Sequence, residues 1–175
     1  EADANIAAMR ARPNLVDAIL IAFARREQGF VVGVGNPLGI RTIADATHRR
    51  ARIAVRPVGA GAQLLLLALL HRARLGPDQL ERVSPPCPTG PDIAQAIRAG
   101  RADCGIATRS VATAAGLEFV PILWERFDLV MRQRDYFRPP LQKLIAFARG
   151  PALAARAAEL GGYDVTDSGS VRFAP

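Results

Sequence analysis

The sequence predicts an α/β fold in which one lobe is inserted into another. Two observations carry this. Short apolar runs alternate with helix-patterned stretches along most of the 175 residues, and two long extended stretches, "ARREQGFVVGVGNP" and "WERFDLVMRQR", bracket about 90 residues that look like a complete α/β unit. Such alternation gives mainly parallel strands with helices laid over them. A lobe entered and left by paired crossing strands is bounded by a cleft, and clefts between lobes are where small ligands bind.

The elements follow in order. "NIAAMRA", "LVDAILIAFA" and "GFVVGVG" read as strands, the last ended by the turn Asn36-Pro37-Leu38-Gly39. "IRTIADATHRR" reads as a short helix and "ARIAVRP" as a strand entering a glycine turn. From Gln63 to Arg74 the helix is apolar nearly all round, which predicts burial on more than one side, and Gly76-Pro77 stops it. In "TGPDIAQAIRAGRADCGIAT", Pro91 suits the first helical position, while Asp92 and Arg98 complement the two helix ends. Gly100 supplies a left-handed cap, and a strand from Ala102 to Ala107 follows at once. "SVATAAG" is a small helix closed by Gly116, "LEFVPIL" and "RFDLVMR" are strands, and helices Leu141 to Arg149 and Ala152 to Leu160 precede a polar tail.

Composition narrows the function classes. Half of the residues are apolar, enough for a sizeable core. The longest strictly apolar run, Leu64 to Leu70, is far short of the roughly 20 residues that span a bilayer, so no membrane span is expected. The formal charge of +7 is almost wholly arginine, Lys143 being the only lysine. Those arginines stand singly or in pairs (Arg25 and Arg26, Arg49 and Arg50) with few aromatics between them, which favours solvated faces over a nucleic-acid surface. Cys87 and Cys104 form no CxxC pair and lack a histidine at ligand spacing, so neither a metal nor a cofactor is expected. Cys104 is expected in a core strand and Cys87 in a loop, and two free thiols fit a reducing compartment. His48 and His71 sit beside arginines on helices and read as solvated. No Ser/His/Asp or Cys/His set, metal-ligand cluster or phosphate-loop lysine is present, and Asp103 and Asp128 lack an evident acid-base partner, so an enzyme is not expected.

Several stretches together resemble a known family. "EAD" at 1 to 3, "ARREQGFVVGVGNPLGI", "RPVGAGAQLLL", "AIRAGRADCGIATRSVATAAGLEFVPILWERFDLV" and "GGYDVTDSG" resemble, in order and spacing, the PBP-like (periplasmic-binding-protein type 2) domain related to molybdate-binding proteins. That domain is often found behind a helix-turn-helix in bacterial regulators. The resemblance implies a two-lobed α/β fold: residues 1–35 and 125–175 form lobe I, and residues 36–124 form the inserted lobe II. The family has a preceding segment with further strands and a Ser- and Gly-rich binding loop, so lobe I is expected to be incomplete.

The site it implies lies where strands pass into helices. Gly59, Ala60, Gly61, Ala62 and Gln63 form the glycine turn; Thr89, Gly90 and Asp92 open a second helix; Thr108 and Arg109 open a third. A tight helix entry, ordinary capping by Thr89 and a solvated helix start are the alternative readings of these three. Arg26, Glu27, Gln28, Trp124, Glu125 and Arg126 lie on the crossing strands, with Gln28 and Trp124 as hinge positions and Glu125 and Arg126 facing the ligand. The departures bear on the ligand: relatives carry a turn like Gly-Ser-Gly-Thr-Arg and a Thr-His pair, where this chain has Gly-Ala-Gly-Ala-Gln and Thr89-Gly90. What remains at the turn is backbone N–H groups and a helix dipole worth about 0.3 to 1 kcal/mol, up to about 2 when partly buried. Gln63 can donate and accept, which suits an organic ligand better than a bare anion.

The expected function is a small-molecule or oxyanion sensor domain of a cytoplasmic bacterial transcription regulator, touching DNA only through a separate helix-turn-helix domain. The alternative is a periplasmic molybdate or tungstate solute-binding protein of a transporter. Self-pairing into a homodimer through exposed lobe surface is a further reading.

Overall fold

The computed structural model describes residues 3–175; of the "EAD" stretch, Glu1 and Ala2 lie outside the described residues. In chain order the elements are α1 (Ala4–Arg10), β1 (Ala18–Val32), α2 (Ile43–His48), β2 (Arg52–Ala54), α3 (Gly61–Ala73), β3 (Glu81–Val83), α4 (Gly90–Arg98), β4 (Cys104–Thr108) and α5 (Arg109–Ala115). They continue with β5 (Glu118–Arg132), α6 (Gln133–Tyr136), α7 (Pro139–Ala148), α8 (Pro151–Leu160), β6 (Tyr163–Asp164) and β7 (Val171–Phe173). The chain divides into two compact units, Glu27–Leu123 and Glu1–Arg26 with Trp124–Pro175.

In the unit 27–123 the strand order is β3-β2-β4-β1. β2 runs parallel to both β3 and β4, Ala54 lying opposite Val83 and Gly105, whereas β1 is antiparallel to β4 with Gln28 opposite Thr108. The sheet is therefore mixed rather than mainly parallel. One apolar cluster joins Phe30, Ile53 and Ile106 to α2 and α3 through Ile43, Leu66 and Leu70; a second joins Val31, Ala54 and Ala107 to α4 through Ile93, Ala96 and Ile97. Helices thus cover both sheet faces, each burying a stripe. Gly105 has no side chain because a Cβ there would stand 2.5 Å from Ile93 Cγ2 and 2.9 Å from the Ala54 carbonyl oxygen.

In the other unit, β6 and β7 pair antiparallel with the first half of β1, Tyr163 opposite Arg26 and Phe173 opposite Leu20. Two small apolar clusters form here, one around Met9, Ala18 and Leu20 and one around Ile19, Ile21 and Ile145.

Several elements differ from the sequence reading. "NIAAMRA" is a helix, because the Asp3 carboxylate accepts from the Asn5 and Ile6 N–H groups at 3.2 and 3.3 Å and so caps it, while Ile6 and Met9, three residues apart, turn to one apolar cluster. The two strands expected within 15–35 are one 15-residue strand, and the two within 117–132 are another. β3 and the β6 and β7 strands of the polar tail carry too few residues to show a period. Helix α3 buries one face only: Ala62, Leu66 and Leu70 point inward, while Leu64 and Leu67 are exposed.

Candidate ligand-binding site

Parallel β2, β3 and β4 end at the same edge of their sheet, and each is followed by a helix start. β2 leads through 55–60 into α3, β3 through 84–89 into α4, and β4 passes directly into α5. Because β1 is antiparallel to β4, Glu27 and Gln28 reach the same edge. The carboxyl ends of parallel strands in an α/β sheet, with helix N–H groups pointing outward, form the usual ligand-binding edge.

The three helix starts differ chemically. α4 is closed by a capping box: the Thr89 hydroxyl accepts from the Asp92 N–H at 3.4 Å, and the Asp92 carboxylate accepts from the Thr89 N–H at 2.8 Å and its hydroxyl at 2.5 Å. Thr89 and Asp92 are thus engaged with each other. Gly90 is small because α5 packs over it, Val111 Cγ2 lying 3.0 Å from where a Cβ would be. α3 begins at Ala60 with no side-chain cap and no acidic residue in its first turn, and Gly59 before it has φ of +88°, a left-handed value that favours glycine. α5 begins at Thr108, which also gives no side-chain cap; its hydroxyl is 2.9 Å from that of Ser110.

Two loops are fastened together beside α3. The Cys87 N–H donates to the Val55 carbonyl at 2.8 Å, and Arg56 Nη2 donates to the Pro88 carbonyl at 2.7 Å. Gln63 Oε1 accepts from the Arg56 N–H at 3.2 Å, so its acceptor atom already serves its own turn. Arg56, absent from the sequence-based site, carries a buried Nε with no hydrogen-bond partner; its one signal was a cation immediately before a glycine turn. Arg109 also has an internal partner. Its Nε lies 2.5 Å from Glu27 Oε2, which holds the guanidinium further in its charged form, and the group sits 4.5 Å over the Phe119 ring. Gly29, next along β1, admits no side chain, since a Cβ would stand 2.3 Å from the Val120 carbonyl oxygen.

The structure therefore brings Gly59 to Gln63, Thr89, Gly90, Thr108, Arg109, Glu27 and Gln28 to one sheet edge of unit 27–123. Trp124, Glu125 and Arg126 belong to the other unit. There Glu125 is ion-paired with Arg26, whose guanidinium lies 4.7 Å over Phe127, and Arg25 lies 5.8 Å over Trp124. Arg126 lines a cavity of about 250 Å³ with Arg12, Met9, Leu20 and Asp128. His48 and His71 are exposed. Cys104 is fully buried, its thiol pushed up to about 12 by burial; burial also raises Cys87. Among the described residues no cluster of three His, Cys, Asp or Glu could hold a metal ion, and no helix is long and apolar enough to cross a membrane.

A family model described as a PBP superfamily domain matches residues 1–149. The uncharacterized protein YvgK of Bacillus subtilis (strain 168) is 26% identical over 152 residues, 87% of this chain and 49% of YvgK, so the chain spans about half the length of that relative. An uncharacterized protein encoded in the 5′ region of the ferredoxin 2Fe-2S gene of Clostridium pasteurianum is 24% identical over 55% of this chain and 87% of its own. Among solved structures, the regulatory domain of Synechocystis PCC6803 CcmR in complex with 2-PG superposes with TM-score 0.60 at 15% identity, covering 78% of this chain and 67% of that one. L-phospholactate-bound PEB3, a Campylobacter jejuni protein, gives 0.59 at 14% identity over 89% and 74%. The periplasmic aliphatic sulphonate binding protein SsuA of Escherichia coli gives 0.54 at 18% identity over 89% and 55%.

Proposed function

Because this chain belongs to the PBP superfamily and has the periplasmic-binding-protein type 2 fold, we propose that it is a small-molecule sensor domain and that the sheet edge of unit 27–123 carries its ligand contacts. The observation that carries this reading is the convergence of three strand ends on one edge, where the thirteen-residue helix α3 starts without an acidic residue in its first turn or a side-chain cap. An anionic group on the ligand is favoured there by the helix dipole and the bare N–H groups. Gln63 and Thr89 orient the edge through their own loops, and Arg56 supplies its positive charge, Arg109 being ion-paired with Glu27. The domain binds rather than catalyses, and ligand binding biases a separate DNA-binding domain by its differential affinity for two states. CcmR, whose regulatory domain was solved with 2-PG, supports the regulator context. SsuA, a periplasmic aliphatic sulphonate binding protein, supports a second reading, a periplasmic solute-binding protein.

The test is a thermal-shift screen with molybdate, tungstate, sulfate, phosphate, small phosphorylated acids and amino acids. A ligand at about 100 times its Kd adds roughly 2.7 kcal/mol of stability. The Ala60→Asp variant places a carboxylate on the α3 N–H groups, which stabilises the helix by about 0.5–2 kcal/mol and removes the shift. Retention of the full ligand shift in Ala60→Asp would sink the assignment of this edge.

A further inference from the structure

The unit 27–123 gathers at one edge arginines that stand far apart in the sequence. β2, β3 and β4 run parallel, so they also begin together, opposite the candidate ligand site, with Arg52 in register with Glu81 and Ile53 with Cys104. α2, α3 and α4 end where these strands begin. The segments 48–52, 71–74, 78–82 and 98–103 therefore converge, and they hold eight arginines against the carboxylates Asp78, Glu81 and Asp103. Arg52 is ion-paired with Asp103 at 2.6 Å, and its Nη1 donates to the Gly100 carbonyl at 2.7 Å, which fastens the start of β2 to the end of α4. Arg50 lies 3.4 Å from Glu81 with both side chains exposed, a pair of little energetic weight. Arg72, Arg74, Arg82 and Arg98 are exposed, and among the described residues none of the four is ion-paired with a carboxylate.

Helix ends explain part of this charge and not the rest. Cations near a helix C-terminus complement its dipole, which accounts for Arg72 and Arg98 in the last turns of α3 and α4. Arg82 lies on a strand, outside that effect. Arg50 and Arg74 have φ of +52° and +57°, left-handed values where glycine is favoured after a helix; Gly100 fills the comparable place after α4 with φ of +67°. Local structure alone would favour glycine at Arg50 and Arg74 as well, so their side chains answer to something other than the fold.

We propose that this edge docks the phosphate backbone of double-stranded DNA without reading its sequence, through Arg72, Arg74, Arg82 and Arg98. Guanidinium groups match phosphate oxygens in charge and in bidentate geometry. The four segments hold no aromatic residue for stacking the bases of a single strand and no exposed large apolar side chain for the core of a protein interface, and backbone contacts need neither. Toward β1 the basic stretch ends, where Glu118 accepts the Gly35 N–H at 2.6 Å. The choice of DNA among duplexes rests on the regulator reading above; the charged surface itself does not.

The experiment is fluorescence anisotropy of a short labelled DNA duplex of arbitrary sequence, titrated with the chain at several salt concentrations. The expected result is saturable binding whose affinity falls steeply with salt. Arg74→Gly combined with Arg82→Gln weakens binding by about tenfold per arginine at about 50 mM salt and lowers the salt slope by about 2, one for each lost phosphate contact. Because glycine suits the left-handed backbone at 74, the melting temperature is kept or rises. Arg12→Gln combined with Arg134→Gln removes the same charge from exposed positions of the other unit and leaves the slope unchanged. Absence of saturable DNA binding overturns the proposal. An equal loss in the two double variants does so as well, because net charge alone then holds the DNA. Binding to phosphatidylserine vesicles without binding to the duplex overturns it in favour of a lipid surface, and a preference for duplex RNA overturns the choice of DNA. Ala60→Asp, at the opposite edge, keeps DNA binding, so a chain that binds DNA but shows no ligand shift fails the sensor reading and supports this one.

Discussion

The unit 27–123 and the unit formed by 1–26 with 124–175 are held together by different forces. In the first, among the described residues, fourteen buried side chains form one apolar cluster and nine another; in the second the two clusters have three each. The second instead concentrates its charges. Arg172, 14% exposed, is ion-paired with both Asp3 and Asp128, and Asn5 Nδ2 donates to the same Asp128 carboxylate at 2.8 Å. Arg132 with Asp17, Arg26 with Glu125 and Arg25 with Asp164 add to it. Phe127, Val130, Phe137 and Phe147 of this unit are exposed. A small unit cannot bury much apolar surface, so its order depends more on polar contacts whose loss is costly but whose net gain is modest.

The difference can be broken most directly at its two anchors. Phe30→Ala is expected to cost about 3–5 kcal/mol, because it empties a fully buried site in the larger cluster. Arg172→Leu is expected to cost a similar amount, about 3–5 kcal/mol, by leaving Asp128 buried without its cation, and Arg172→Leu with Asp128→Leu should recover most of it. Urea denaturation of the three variants checks this. If the double variant is no better than Arg172→Leu, the charge cluster is not what orders that unit. Phe127→Ala, at a 41% exposed ring packed edge-on to Phe23 at 6.0 Å, should cost only about 1 kcal/mol.

A smaller effect sharpens the site itself. Thr89→Ala removes the α4 cap and should cost about 1 kcal/mol, read as a melting shift. A change in ligand affinity beyond that loss would mean that Thr89 does more than cap.

The smallest effect is a pH dependence with opposite signs in the two units. Arg52 holds the Asp103 carboxyl below its ordinary 3.8, so this pair contributes stability that is present above 3.8 and is lost as pH falls through the lowered value. Burial pushes the Asp128 carboxyl above 3.8, so its contribution grows as pH falls through the raised value and declines as pH rises through it. Melting curves of Arg52→Gln between pH 2 and 5 should lack the acid-side loss from Asp103; an unchanged profile would remove that pair from the account.

How much was legible follows from the range of the interactions. The α4 start at Thr89, its end at Gly100, the close of α5 at Gly116 and the turn at 36–39 were readable, since each rests on hydrogen bonds or φ preferences within about five residues. The strand-to-helix junctions at 59–63, 89–90 and 108–109 were readable for the same reason. The Asp3 cap of α1 is equally local, but the apolar run "NIAAMRA" that follows it carries a strand-like pattern as well.

The sequence by itself determined the alternation of strands and helices, the caps that bound several of them, and the positions where strands hand over to helix starts, because those signals are carried by neighbours along the chain. The tertiary structure decided the rest. Three-residue β3 and the β6 and β7 segments are strands because β2 and β1 supply their hydrogen bonds. Helix α3 buries one face because a sheet covers only that side. The pairing of Arg109 with Glu27 joins residues 82 positions apart, and Arg56 meets the Pro88 carbonyl across 32. Contacts of that span depend on how strands are ordered in space, which no local pattern specifies.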